Sequence, residues 1–228
     1  MSAKITWFGH SAVSIETSGF TVLVDPFFTD NPSTSVSPDK LKADYILLSH
    51  GHFDHIGDTF QIANRTGATV ITNVEIAGWL GKKGVQKTHG QQPGGGFKHP
   101  FGYLKLTQAV HGSILPDGSY GGIAAGFLLT TLEGKKIYLA CDTGLFGDMR
   151  LIGEEGLELA FVPIGDNFTM GPDDALRAVK LLTPKYVVPY HYDTWGLIAQ
   201  EPALWAKGVE AETSSKVRLL KPGESLEI

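Results

Sequence analysis

Between residues 50 and 55 the order His-Gly-His-Phe-Asp-His sets three imidazoles and a carboxylate within six positions, directly after the apolar run Tyr45-Ile46-Leu47-Leu48. Imidazole is the commonest metal-binding side chain and carboxylate suits the same divalent ions, so His50, His52, Asp54 and His55 form a donor set for zinc, manganese or iron. The cluster begins where a buried strand is expected to end, and a loop held at a rigid sheet edge can aim such side chains into one cavity. His111, Asp142 and His191 repeat the placement, each close behind an apolar strand-like run. A lone histidine at 111 or 191 is more often a hydrogen-bonded core or surface residue. Four separate strands bringing metal-competent residues to one edge is the pattern of a site built at sheet ends.

The elements that must carry these residues read as strands over 4–8, 13–17, 21–24, 45–48, 70–72, 104–110, 123–131, 136–140, 159–164, 186–189, 216–220 and 225–228. Helical patterns fall over 58–65, 74–82, 147–155, 172–182 and 202–211. The fourth helix is the clearest: Pro172 suits the first helical position, and Asp173 and Asp174 complement the N-terminal dipole. Strand meanders followed by strand–helix alternation predict an α/β protein with two sheets layered between helices. No linker divides the chain, so residues 1–228 read as one domain. The Gly-rich segment 90–97 reads as a loop, either beside an active site or a surface hairpin, and 112–122 has the same two readings. His89, Lys98 and His99 beside the first loop read as substrate contacts or as solvated loop residues, the second being favoured.

Composition narrows the class. The 228 residues are 42% hydrophobic and 19% charged with a formal net charge of −5, which describes a globular chain with a substantial core. No basic run exceeds the pairs Lys82-Lys83 and Lys135-Lys136, so no nucleic-acid partner is expected. The N-terminus lacks the apolar core of a secretory signal and no apolar stretch approaches the roughly 18 residues of a membrane span, so a cytoplasmic location with no membrane partner is expected. Cys141 is the only cysteine, which excludes an intrachain disulfide and a Cys-rich zinc site; a buried apolar thiol is its expected role, on the opposite side of a strand continuing through 141.

The HxHxDH run at 50–55 with His111, Asp142 and His191 behind it resembles the metallo-β-lactamase superfamily over nearly the whole chain. That resemblance implies a four-layer αβ/βα sandwich with a dinuclear metal site between its sheets. Gly9-His10-Ser11, Asp25-Pro26-Phe27 and the segment from Ile164 to Gly171 further resemble the bacterial metal-dependent hydrolases related to ascorbate-6-phosphate lactonase. Carried onto this chain, the resemblance implies that His50, His52 and His111 hold one metal, that Asp54, His55 and His191 hold the second, and that Asp142 bridges them. Two such cations, zinc first with manganese or iron as alternatives, lower the pKa of a shared water and supply hydroxide at neutral pH. Asp54 and His10 are the catalytic candidates: Asp54 would bind metal and orient the hydroxide, and His10 would approach substrate or a leaving group, its alternative being a hydrogen bond within the sheet. Asp25 would fix a ligand imidazole, or else cap a turn.

Members of this superfamily do different chemistry. Common β-lactamases carry Cys where this chain has Asp142, di-iron redox members resemble HxExD where this chain has His52, and RNA-processing members add a module for which this chain has neither length nor charge. Hydrolysis of a small-molecule substrate remains: an ester, a lactone such as a sugar-phosphate lactone, or a phosphodiester. The two aspartates opening the helix at Pro172 disfavour phosphate there. The alternative is a non-catalytic metal-binding protein with a structural or regulatory role. Trp79, Trp195 and Trp205 read as core residues before interface residues, and because the related lactonases are oligomers a homo-oligomer is entertained as a partner state.

Overall fold

Alternation of apolar side chains sorts the strands onto two faces. In the computed structural model, which describes residues 2–228, they pair into two seven-stranded sheets. The first holds β1 (Lys4–Trp7), β2 (Val13–Thr17), β3 (Phe20–Val24), β4 (Tyr45–Leu47), β5 (Thr69–Asn73) and β6 (Thr88–Gln91). The second holds β7 (Gly96–His99), β8 (Gly102–Gln108), β9 (Ala125–Thr131), β10 (Lys136–Leu139), β11 (Leu159–Pro163), β12 (Tyr186–Tyr190) and β13 (Lys216–Val217), and β14 (Ser225–Glu227) returns to pair with β1. Helices α1 (Phe53–Ile56), α2 (Thr59–Thr66), α3 (Val74–Lys82), α4 (Met149–Gly153), α5 (Pro172–Leu182) and α6 (Pro202–Glu212) connect them.

Strand direction decides where the chemistry collects. Because β2 runs antiparallel to both β1 and β3, those two point the same way, and β4, β5 and β6 follow β3 in parallel. By the same reasoning β8 and β10 agree, since β9 opposes both, and β11, β12 and β13 run parallel to β10. The loops after β1, β3, β4, β8, β10, β11 and β12 can therefore all serve one edge of the sandwich.

Period-2 alternation builds the layers. Val22, Val24, Leu47 and Ile71 join Leu104, Phe127, Leu139 and Phe161 in the core shared by the two sheets. The alternate residues Leu23, Ile46 and Val70 pack with Ile62 of α2 and with Ile76 and Leu80 of α3. On the second sheet Ala175, Ala178, Val179 and Leu182 of α5 and Val209 of α6 complete the outer layer. The result is the expected α/β sandwich of two sheets between helices. No helix among the described residues is long and apolar enough to cross a membrane.

Helices α3 and α5 begin and end where the sequence places them. Asn73 caps α3 through a bond from the Ile76 amide at 2.8 Å, and Pro172 opens α5. Elsewhere the structure departs from the expectations. Helix α2 starts after Asp58, not at it, because the Asp58 carboxylate is spent on the loop after β3, accepting from the Phe28 and Thr29 amides at 2.9 Å each. The Gly-rich segment expected as a loop is half strand: residues 90–91 end β6, residues 96–97 open β7, and the turn over 92–95 crosses from one sheet to the other. Gly90 is a strand residue without a side chain because α3 lies against it: an added Cβ would come within 3.2 Å of the Val74 side chain and 3.3 Å of its Cα. The strand before Cys141 ends at Leu139, and Cys141 itself adopts a left-handed φ of 54°, so it does not alternate with Asp142 as a strand neighbour would. It is buried as expected, with its thiol pushed up by desolvation and then by the Asp25 and Asp142 carboxylates.

Candidate metal centre

Each expected donor leaves its strand through a short, often strained connection. His10, Asp25 and His191 all sit in the left-handed region, with φ of 51°, 42° and 53°. Such non-glycine conformations cost roughly 1–3 kcal/mol and persist only when their surroundings hold them. Here the two sheets hold one another: the His191 amide donates to the His10 carbonyl at 3.1 Å, and the Ala125 amide donates to the Ser49 carbonyl at 3.0 Å. Thr143, next to Asp142, accepts from the Val110 amide at 2.9 Å, which joins the loops carrying Asp142 and His111.

These ties bring all seven expected donors together. His50, His52 and His111 form one group whose ligand atoms lie within 4.8 Å of one another; His10, Asp54, His55 and His191 form a second; His50, His55 and Asp142 form a third that overlaps both. Asp142 Oδ2 lies 3.0 Å from His191 Nε2, 3.3 Å from His55 Nε2 and 3.6 Å from His111 Nε2, and so stands between the groups. Asp54 and His55 are carried by α1, a single helical turn absent from the sequence reading, which closes at Gly57.

Hydrogen bonding behind the donors fixes which nitrogen faces forward. Asp25, fully buried, accepts from the Ser49 amide at Oδ1 (2.8 Å) and from the Ser49 hydroxyl at Oδ2 (2.6 Å). The hydroxyl proton being committed there, His50 Nδ1 must be the donor in its 2.9 Å contact with Ser49 Oγ, which leaves His50 Nε2 as a bare lone pair. His55 Nδ1 donates directly to Asp25 Oδ2 at 2.8 Å, which turns its Nε2 toward Asp142 and the other donors. One carboxylate thus orients an imidazole in each of the three groups. Asp25 is an imidazole-fixing residue here, not a turn cap, and Ser49 is a member of this relay that the sequence reading missed.

His10 is likewise fully engaged. Burial, and then its neighbour His191, lower its pKa to about 4, so the ring is neutral near pH 7. Nε2 donates to Asp54 Oδ2 at 3.0 Å, and Nδ1 accepts from Thr194 Oγ1 at 2.8 Å. The ring is buried and does not line the cavity described below, so its contact is with Asp54 and not with the space a substrate would enter. Thr194 was also missed, since a threonine four residues after a strand carries no sequence signal of its partner.

Electrostatics favour cation binding. Burial acts to raise the Asp142 carboxyl, but His191 and His55 outweigh it and hold it well below the ordinary value. Burial likewise opposes ionisation of Asp54, and His55 and His10 keep it low. Desolvation pushes His50, His52 and His111 down, so these rings are neutral and able to act as ligands. His55, pressed by Asp142, Asp25 and Asp54, is held well above its ordinary value despite burial; without a cation in the cluster, this proton is what balances three carboxylates. The fit to a metal shows most directly in orphaned atoms. Asp142 Oδ1, His55 Nε2 and His191 Nε2 are buried without a hydrogen-bond partner, which is costly unless something charged completes them.

In front of the donors lies a cavity of about 420 Å³. Its floor is His52, Asp54, His111, Asp142 and His191, and its walls are Phe53, Phe168, Trp195 and Leu197. The segment from Ile164 to Gly171 supplies Phe168 through left-handed turns at Asp166 and Asn167. Of the tryptophans, Trp195 is a cavity wall, Trp205 is buried and donates to the Pro172 carbonyl at 3.1 Å, and Trp79 donates to Asp117 at 2.7 Å, tethering the 112–122 loop to α3. That loop reaches the donor motif, where Ser113 Oγ accepts from the Gly51 amide at 3.0 Å. His89 and His99 lie elsewhere: His99 stacks on Phe101 and meets Tyr45 at the start of β4, whereas the donors follow its end.

Comparison with known proteins is consistent with this architecture. A family profile described as "Beta-lactamase superfamily domain" matches residues 21–192. A UPF0173 metal-dependent hydrolase of a Geobacillus species is 50% identical, the match covering 99% of this chain and 100% of that one. One from Bacillus cytotoxicus is also 50% identical, over 98% of this chain and 99% of its own. Among solved structures, the metallo hydrolase Igni18 from the archaeon Ignicoccus hospitalis superposes with a TM-score of 0.92 at 37% identity, covering 100% of this chain and 99% of that one.

Proposed function

Since the chain belongs to the β-lactamase superfamily domain family and is a metal-dependent hydrolase, we propose that it cleaves a small-molecule ester, lactone or phosphodiester, sugar-phosphate lactones included, at a dinuclear centre. His50, His52 and His111 would hold one ion, Asp54, His55 and His191 the other, and Asp142 both. What supports this reading best is the set of atoms on Asp142, His55 and His191 that are buried beside one another without a hydrogen-bond partner. Seven donors for two ions leave positions for water, as catalytic sites do and closed structural sites do not. Divalent cations, zinc first with manganese or iron as alternatives, supply Lewis acidity and bring the pKa of water toward neutrality.

The chain's own groups do the rest. Asp54 stays ionised, and with Oδ2 held by His10 its other oxygen can accept from an incoming water and point a lone pair at the substrate. His10, steadied by Thr194, keeps that carboxylate from rotating. Asp25 and Ser49 keep His50 and His55 in the ligand tautomer. The aromatic wall limits water access on one side of the cavity. The reading is tested with His52→Ala and Asp142→Ala, assayed for metal content and for turnover on a panel of aryl esters, lactones and phosphodiesters. Metal loading and turnover should fall together; full activity in either variant after chelation overturns it.

A further inference from the structure

The cavity wall is a poor match for a charged substrate. Phe53, Phe168 and Leu197 are 64%, 50% and 71% exposed at the mouth of the donor cluster, an unusual concentration of large apolar side chains in open contact with solvent. Apart from the Trp195 indole N–H, every polar group lining the cavity belongs to a proposed metal donor, and no Lys or Arg lines it. A phosphate or carboxylate lying against this wall would lose its hydration against hydrocarbon and gain no counter-charge, and at most one indole N–H, in return. An alkyl or aryl group there would lose nothing.

The wall is also preformed. The Trp195 ring lies 5.1 Å from the His10 ring and 6.2 Å from Phe27, and Phe53 is 6.1 Å from Phe27 and 6.3 Å from Trp195, so three rings brace one another along one side of the cavity. Leu197 projects from a 3-10 turn over Gly196–Ile198 that is fixed by a bond from the Ile198 amide to the Trp195 carbonyl at 3.0 Å. A cavity of about 420 Å³ falls within the roughly 300–1,000 Å³ range of small-molecule sites.

Resting on the hydrolase reading above, we infer that the substrate is uncharged on the side facing Phe53, Phe168, Trp195 and Leu197 and carries an alkyl or aryl group there, which narrows the candidates to neutral esters and lactones and away from phosphorylated ones. The cluster at the floor supplies the chemistry, and the wall supplies selection by apolar burial.

The test uses zinc-loaded protein and p-nitrophenyl esters from acetate to octanoate beside the anionic hemisuccinate. Each added methylene should raise kcat/KM roughly fourfold until the wall is covered, and the hemisuccinate should fall at least tenfold below the valerate of similar length. Leu197→Lys, at an exposed position, should narrow or reverse that last ratio. A flat series, or a hemisuccinate preferred by the unaltered protein, overturns the inference while leaving the hydrolase reading standing. If no ester, lactone or phosphodiester is cleaved, it is the hydrolase reading that fails. Binding then decides the wall's preference: quenching of tryptophan fluorescence by hexan-2-one in preference to 4-oxopentanoate supports the inference, and the reverse order overturns it.

Discussion

Replacing Asp25 by Asn changes almost no volume, yet its effect on metal binding follows from hydrogen-bond direction alone. The Ser49 amide, 2.8 Å from Oδ1, can only donate, so the new amide must keep its oxygen there and turn its NH2 toward the former Oδ2 position. One of those protons then meets His55 Nδ1 and the other meets Ser49 Oγ, at contacts now 2.8 and 2.6 Å long. His55 must become the acceptor at Nδ1 and carry its proton on Nε2. Ser49, receiving a proton, passes its own to His50 Nδ1, and His50 is also driven to the Nε2–H form. One atom exchanged in Asp25 thereby removes a ligand lone pair on His50 and another on His55. Loss of such supporting contacts costs about 10–100-fold in metal affinity, roughly 1.4–2.7 kcal/mol for each ion affected. Asn tolerates the left-handed φ of 42° at this position, so the fold should survive and the loss should appear in metal binding. Competition titration against a chelator reads the affinity, and imidazole 15N shifts of the metal-free protein read the tautomer of neutral His50. Wild-type affinity with His50 still protonated at Nδ1 would refute the relay.

Three further outcomes are expected. The His52→Ala and Asp142→Ala proteins should lose metal loading and turnover together, measured by elemental analysis beside hydrolysis. Gly57→Ala should cost about 2–4 kcal/mol in urea unfolding, since a Cβ there would strike the Pro26 carbonyl oxygen and Phe27 Cα at a φ of 39°; an unchanged midpoint would contradict the close approach that ends α1. His99 is lowered to about 4, chiefly by burial and then by His89. The unfolded chain, with His99 near 6.5, binds the proton first, so the stability from its neutral form is present above about 6.5 and is lost as pH falls toward 4. Between pH 7 and 5 the protein should lose on the order of 1 kcal/mol more than a His99→Phe variant, after discounting for solvent near the ring; equal losses would remove His99 from the acid response.

Much of this centre was readable because its donors are polar residues placed just past apolar runs, where a sheet edge is the only place for them. Pro172 marks a helix start by its chemistry, and α3 and α5 fall over the ranges read from the sequence. Strands β6 and β7 were hidden because Gly90 and Gly96 carry loop propensity, whereas tertiary contact requires them small: Val74 presses on one, and the Tyr103 ring lies across the other. Ser49 and Thr194 were hidden for a different reason. A hydroxyl's partner is set by three-dimensional approach, here to Asp25 and to His10. The cavity wall was beyond pattern reading too, because Phe53, Phe168, Trp195 and Leu197 come from three separate connections, those after β4, β11 and β12. His10 sits beside the donors as expected, but only the structure shows both its nitrogens committed to Asp54 and Thr194.

The central claim is that these seven residues hold two ions on which hydrolysis depends. Titrating metal-free protein with zinc, while following bound metal per chain and turnover of a neutral aryl ester on the same samples, tests it most directly. Binding should saturate at two ions per chain, with activity rising as they bind and vanishing on chelation. Turnover that persists in fully chelated protein, or saturation at a single ion, would contradict it.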